Sequence, residues 1–573
     1  MISYLIALKR HRKLFMKLRS FFYPFTVVVS VLLIALGSFF WFTSSAEASL
    51  PQENTPKNPS TAIFVSKQTP LMVSLLGERE NLEELRQLQD SLVAPLDLNY
   101  RQDIQSWVGD EMTMAVTSLD LDRNPENATQ PGYLLALTTD NPEKAKAALQ
   151  VLYSSKAIAG QGDLVFEPYQ GVTLLYKRPL PELVNDDTKP NQPPKIITSA
   201  VVANRFVLFA NHPKVLRDAI NNVQAADLNL ANSPEYQKIL PALVENRIGL
   251  SFINVPALAA WISAKSILPR DSFPTSQTLG IAFSLDNQGL LAHTAILGAE
   301  ASEETIVPLL SKPVDALQYI PGESALAIAG SDLNQLWHSL STEVGNEDIL
   351  KSLLDRSIAR LESGWEIKLP ENIFSWVQGE YALSLLPSSD LVNPDWIFVA
   401  EKLDSANAEG AIANLDELAE KQGLSAGILP FRDRNLTVWT KLVPSTVEDG
   451  KGSLLNLEAK VQGIHTSIGN YEIFTNSIEA MDEALKGMDN SLLNDETFQD
   501  ARAPLPFNNN GYFYIDWSNS KAFIDRQLPL MRIVELIAQP LFDDLRTLTV
   551  SNYGIDNGVQ RSKLFFQFFE GEN

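Results

Sequence analysis

Ile104-Gln-Ser-Trp107-Val-Gly-Asp-Glu111 and Ile373-Phe-Ser-Trp376-Val-Gln-Gly-Glu380 are near-copies of one block within a single chain. Further matches follow in the same order. Pro131-Gly-Tyr-Leu-Leu-Ala-Leu parallels Pro394-Asp-Trp-Ile-Phe-Val-Ala, and Asn204-Arg-Phe-Val-Leu-Phe-Ala-Asn211 parallels Asn470-Tyr-Glu-Ile-Phe-Thr-Asn476 with one residue dropped. Asn232-Ser-Pro-Glu-Tyr236-Gln237 pairs with Asn494-Asp-Glu-Thr-Phe498-Gln499. Leu250-Ser-Phe-Ile-Asn254 pairs with Tyr512-Phe-Tyr-Ile-Asp516, and Asp286-Asn287 with Asp556-Asn557. A collinear series of this length is the mark of an internal repeat. It predicts a tandem duplication of two homologous α+β domains, at 61–300 and 314–573, with a linker at 301–313.

Each half carries the same coarse succession. Met112 to Ser118 and Tyr133 to Thr138 alternate or run apolar as strands do. Asp140 is then predicted to N-cap a helix through Ala145, Ala148 and Leu149 to Tyr153 with Pro142 in its first turn, matched by Ala406 to Lys421. Strands are predicted at Leu164–Glu167, Val172–Tyr176, Ile196–Val202, Phe206–Ala210 and Gly249–Asn254, with helices at Pro213–Val223 and Pro234–Val244. Strand-rich segments interrupted by a few helices describe an α+β class. Pro179 to Pro194 and Pro444 to Gly452 fall at corresponding points and read as exposed hairpin or loop excursions.

The N-terminus reads as a membrane leader. Residues 1–20 form a basic, cytoplasmic segment with six Lys or Arg, and 21–43 carry no charge. As a helix, those 23 residues reach about 34 Å, enough to cross about 30 Å of hydrocarbon. The basic flank keeps the N-terminus inside and sends the bulk to a periplasm or thylakoid lumen. Ala46-Glu47-Ala48 also fits a signal-peptidase site, so a cleaved signal beginning the mature chain at Ser49 stands as the alternative. Residues 44–60 form a polar Pro/Ser/Asn tether. The expectation is a single-pass membrane protein, with residues 21–43 as its membrane contact.

Composition narrows the chemistry. The chain of 573 residues contains no cysteine, which excludes disulfides, cysteine-ligated metal and thiol nucleophiles. A formal charge of −23 argues against nucleic acid. The acidic surplus reads as a solvated surface, with loose cation association or a basic partner as the alternative.

The basic leader, the apolar segment and the Trp107-Val-Gly-Asp-Glu111 block resemble a cyanobacterial membrane-anchored family known as domain of unknown function 3352. The resemblance covers about residues 50–573, on soft blocks such as Trp107–Glu111 and Asn232–Gln237. It implies a membrane-anchored protein and brings no activity or catalytic residue. The second half departs from the block at Trp376-Val-Gln-Gly-Glu380.

No phosphate loop, nucleophile elbow, H-E-x-x-H pair or EF-hand loop is present. The histidines, His11, His212, His293, His338 and His465, fall at non-corresponding places, as isolated surface or core residues do. Ser518-Asn-Ser-Lys521 fits S-x-x-K but lacks its partner motifs. Glu111 and Glu380, beside Trp107 and Trp376, read either as raised-pKa acids against an indole or as strand openers beside a core tryptophan, and the second reading is favoured. Asn254 and Asp516 read as turn formers.

No catalytic, cofactor-binding or metal residue is therefore assigned, and no cofactor is expected. The expected function is non-enzymatic: a binding, scaffold or assembly factor for envelope or thylakoid proteins, with a cleft between the halves as the binding place. The alternatives are a ligand- or polysaccharide-binding module, marked by exposed Trp261, Trp396 or Trp517, and a carboxylate-only hydrolase.

Overall fold

The computed structural model describes residues 58–77, 98–118, 130–158, 163–178, 196–244, 246–262, 278–297, 310–334, 368–387, 394–449, 452–527, 544–556 and 558–569, with a few isolated positions. The basic leader 1–20, the apolar run 21–43 and most of the tether lie outside them, as does the stretch from Pro179 to Pro194.

The first ten strands are β1 (Leu71–Leu76), β2 (Glu111–Ser118), β3 (Gly132–Thr138), β4 (Asp163–Tyr169), β5 (Val172–Arg178), β6 (Thr198–Val202), β7 (Phe206–Ala210), β8 (Gly249–Asn254), β9 (Thr278–Asp286) and β10 (Gly289–Leu297). Then come β11 (Leu326–Ser331), β12 (Glu380–Leu385), β13 (Trp396–Glu401), β14 (Ser425–Phe431), β15 (Arg434–Asp449), β16 (Gly452–Ile468), β17 (Tyr471–Thr475), β18 (Gly511–Asp516), β19 (Leu545–Asp556) and β20 (Val559–Phe568). All belong to one 20-stranded sheet. The pairings trace β4-β5-β6-β7-β3-β2-β1-β8-β9-β10, cross to β20, and continue β19-β18-β11-β12-β13-β17-β16-β15-β14. Each neighbouring pair is antiparallel.

The expectation of two α+β domains in tandem is corrected here. Strands β10 and β20 pair over nine residues, from Gly289 opposite Gln567 to Leu297 opposite Val559. This ladder leaves no boundary between the halves. One apolar cluster on one sheet face takes Val73, Met112 and Phe209 from the first half together with Leu326, Phe513 and Phe566 from the second. A shared core of this kind cannot be parted into two domains, and the expected inter-domain cleft goes with it. The sequence blocks matched local strands; they could not report that the strands join edge to edge.

The single-pass reading is corrected as well. Among the described residues no helix is long and apolar enough to cross a membrane.

Helices cover both faces. On one lie α1 (Pro142–Ile158), α4 (Val255–Ile262), α6 (Ser405–Lys421) and α9 (Trp517–Gln527). On the other lie α2 (Pro213–Gln224), α3 (Pro234–Ile239), α7 (Ile478–Ala484) and α8 (Glu496–Arg502), while α5 (Leu369–Asn372) is a single turn. Strand β7 gives the reason for its apolar run: Phe206, Leu208 and Ala210 enter one core, Val207 and Phe209 the other. With both faces covered, the usual period of two disappears from the sequence. The sheet ends at β4 and β14, each paired on one side only among the described residues. Pro168 and Pro430 sit in these edge strands, where a missing N–H does least harm.

Candidate functional site

The sequence-derived candidates prove to be structural fittings. Glu111 is fully buried and receives the backbone N–H groups of Ser60 (2.9 Å) and Thr61 (2.8 Å), the Ser60 hydroxyl (2.7 Å) and the Thr61 hydroxyl. Ser60–Phe64 is a short 3₁₀ helix, so Glu111 neutralises its otherwise orphaned N–H groups. Glu380 holds the matching place with fewer donors: Ala316 N (3.2 Å) and the Tyr471 hydroxyl (3.0 Å). Burial raises its pKa and the neighbouring charge of Asp315 raises it further, while those two donors pull it back down. Trp107 and Trp376 each donate Nε1 to a carbonyl four residues back, Asp103 (2.8 Å) and Asn372 (3.2 Å). They are anchored core side chains.

Asn254 and Asp516 cap α4 and α9 by accepting the N–H groups of Ala257 (3.1 Å) and Asn519 (2.9 Å). Ser518 and Lys521 are both exposed on α9. Trp517 is buried and Trp396 half-buried, while the Trp261 side chain lies outside the described residues. His212 caps α2. The other two described histidines, His293 and His465, sit in strands.

The charged group missed by the sequence reading surrounds His465. This imidazole, in β16 and 6% exposed, bonds Glu472 Oε1 through Nδ1 (2.7 Å) and Asp416 Oδ1 through Nε2 (3.2 Å). Asp416, on α6, also accepts from Trp439 Nε1 (2.7 Å). Glu472 accepts from the Ser467 hydroxyl (2.5 Å), which accepts from Lys402 Nζ (2.8 Å), itself 3.5 Å from Glu472. Two cations and two carboxylates therefore balance at the junction of α6 with β13, β15, β16 and β17. The ring of His465 stacks on Phe474 with centroids 5.4 Å apart.

Burial alone would lower His465, but its bonds to Asp416 and Glu472 carry it up to about 9. Burial pushes Asp416 the other way, yet the bonds from His465 and Trp439 hold it below the ordinary carboxylate value. A doubly bonded imidazolium has no lone pair for general-base work or metal ligation. Among the described residues no group of three or more His, Asp or Glu is arranged to hold a metal. The cluster ties α6 to the sheet at the root of a ribbon.

That ribbon is the long hairpin of β15 and β16, with a register shift between Trp439 and Thr440. On the face carrying Leu436, Val438 and Ile464, the inner part lies in the core with Met481 of α7. Farther out the same face presents Leu442 opposite Ala459 and Pro444 opposite Leu457, all exposed, with Leu442 at 61% and Leu457 at 62%. The reverse face presents Lys441, Lys460 and Glu458. This is a sided surface: apolar on one face and, apart from half-buried Val443, charged on the other.

A family model described as "Protein of unknown function (DUF3352)" matches residues 25–568. The chain belongs to this family. The membership covers the whole sheet and both wings, and it carries no activity. A comparison with curated proteins finds no match. One solved structure, titled "Structure of crystal form I of TP0453", is similar at 10% identity, covering 43% of this chain and 81% of its own, with a TM-score of 0.24. That likeness is too weak to inform the fold.

Proposed function

We propose that this DUF3352 member is a non-enzymatic binding or assembly protein whose contact surface is the outer face of the β15–β16 ribbon. One observation carries the reading. The core face of the ribbon continues past its covering helices as Leu442, Pro444, Leu457 and Ala459, all exposed among the described residues. A two-stranded ribbon gains little from its own contacts in water, and an exposed apolar face rimmed by charge is the form of a protein contact. The His465 cluster supports the same reading, since its groups are engaged in holding the ribbon's root.

The test places a photo-crosslinking residue at Leu457 and, separately, at exposed Val151 on α1. In cells making the full chain, a discrete polypeptide adduct from Leu457, absent from Val151 and abolished by Leu442→Asp, supports the proposal. Adducts of equal pattern from both positions, or none from Leu457, overturn it.

A further inference from the structure

We propose that the seam between the two helical layers is a binding site for a small phosphate-type oxyanion. On the sheet face opposite the shared core, the apolar side chains form two clusters, one beneath α2 and α3, the other beneath α7 and α8. They meet at the β10–β20 ladder. Leu291 and Phe565 enter the cluster under α7 and α8, while Ala295 and Val559 enter the cluster under α2 and α3. The same-face positions between them are His293 and the directly opposed Lys563, with Arg561 two residues along β20. All three are half-buried.

The walls add further cations. Arg502 closes α8, and its Nε is buried without a hydrogen-bond partner. Two residues on, the Pro504 carbonyl accepts from Lys563 Nζ at 2.5 Å. On the other wall Lys238 of α3 reaches Gly558, just before β20. Among the described residues no ion pair within 4.0 Å engages Lys238, Arg502 or Lys563. In a chain of net charge −23, this gathering opposes the average field.

Its electrostatic consequence is visible in two groups. His293 is pushed down to about 4, first by burial and then by the Lys563 charge. Burial also pushes Lys563 below the usual lysine value, against the pull of Asp286. Arg502 and Lys563 are partly desolvated and held in no ion pair within 4.0 Å among the described residues, which is costly, and an oxyanion relieves that cost through charge-assisted hydrogen bonds. Guanidinium and ammonium groups on one strand face and its flanking helices suit a compact oxyanion with several acceptor oxygens. The ribbon plays no part in this site.

The probe is inorganic phosphate, read as the thermal unfolding midpoint of the full chain, with chloride at equal ionic strength as reference. The expected result is a saturable rise of a few degrees in phosphate alone. Lys563→Met is expected to raise the midpoint in chloride, because a half-buried cation is gone, and to abolish the phosphate increment. Lys421→Met, at an exposed site on α6, keeps the increment. If Lys563→Met fails to fold, Arg502→Gln with phosphorus-31 line broadening reads the same site. Glycerol phosphate separates sources: a rise with phosphate only, or with both, supports the site. Equal effects of phosphate and chloride, or an increment that survives in both variants, overturn it.

Discussion

Two regions of the sheet use the same scaffold with opposite polarity. In the first wing, α1 lies over β5, β6 and β7, and the positions facing its inner side are Tyr153, Ser199, Val207 and Thr139. In the second wing, α6 lies over β15, β16 and β17, and the matching positions are Asp416, His465, Glu472 and Lys402. The match follows from geometry. Asn141, one residue past the expected Asp140, and Asp404 cap the two helices, and Tyr153 and Asp416 each stand twelve residues on. Ser199 pairs with Phe209 as His465 pairs with Phe474. Thr139 N–H bonds the Arg205 carbonyl as Lys402 N–H bonds that of Asn470. Tyr153 meets the Leu175 and Ile197 carbonyls with its hydroxyl, where the second wing places the Asp416 carboxylate.

The contrast teaches that backbone topology does not dictate how a helix is fastened to a sheet. The first wing uses apolar packing and a single hydroxyl. The second uses two ion pairs, whose mutual attraction must offset the desolvation of four charges. Burial of this kind adds little net stability, but it makes the geometry intolerant of losing any one member. A fixed angle between α6 and the root of the β15–β16 ribbon is what such intolerance would provide.

Four predictions can break or sharpen this comparison. The largest concerns Glu472→Ala, which leaves Lys402 buried without its carboxylate and His465 with Asp416 alone. It should cost ~3–5 kcal/mol in urea unfolding, whereas Val207→Ala, its counterpart, should cost about 2 kcal/mol. Equal costs would show that the charge network is not what distinguishes the wings.

Next in size is the pH dependence. The folded-state value of His465, about 9, lies above the ordinary 6.5. Its stabilisation is therefore complete below pH 6.5 and is lost as pH rises toward 9, by up to about 3 kcal/mol. His293 behaves oppositely. Its folded-state value of about 4 lies below 6.5, so its cost is absent above pH 6.5 and grows as pH falls toward 4. Urea unfolding across this range, with His465→Asn and His293→Asn, should flatten the alkaline and acid limbs respectively. A limb that each substitution leaves unchanged would refute its assignment.

Glu111→Gln should follow, at about 2 kcal/mol, because it weakens several charge-assisted bonds around one buried carboxylate. Glu380→Gln, with two donors, should cost about 1 kcal/mol. A reversed order in denaturant midpoints would contradict the different support drawn for the two glutamates. The smallest effect should come from exchanging the whole quartet as Lys402→Thr, Asp416→Tyr, His465→Ser and Glu472→Val. Removing all partners together should leave stability unchanged or slightly raised. A large loss would mean that the second wing cannot accept the first wing's packing.

Much of the local structure was legible in the chain. The alternating run after Trp107 lies in β2, and the caps at Asn254 and Asp516 sit where turn-forming side chains were read. Pro444 to Asp449 lie at the outer end of β15, which pairs with β16 from Gly452 as a hairpin. The His465 cluster was not legible as a cluster, because its members come from α6, β16, β17 and the end of β13. A signal nonetheless existed. Glu472 interrupts the strand run Tyr-Glu-Ile-Phe-Thr where the first half has Val207, and a charge inside a two-sided buried strand requires a partner. Reading the internal repeat for its differences as well as its matches would have singled out that residue. The seam cations stayed hidden for another reason: His293 and Lys563 are 270 residues apart, and only the β10–β20 ladder opposes them.

By itself the sequence determined the strand and helix succession of the first half, the caps at Asn254 and Asp516 and the family resemblance, because these depend on local periodicity and on neighbours within a few residues. The tertiary structure alone decided that the two halves form one sheet, which charges meet in its core, and which apolar strip stays uncovered. Those outcomes depend on edge pairing and burial between distant segments, where the free energy is set by contacts that no short stretch of chain contains.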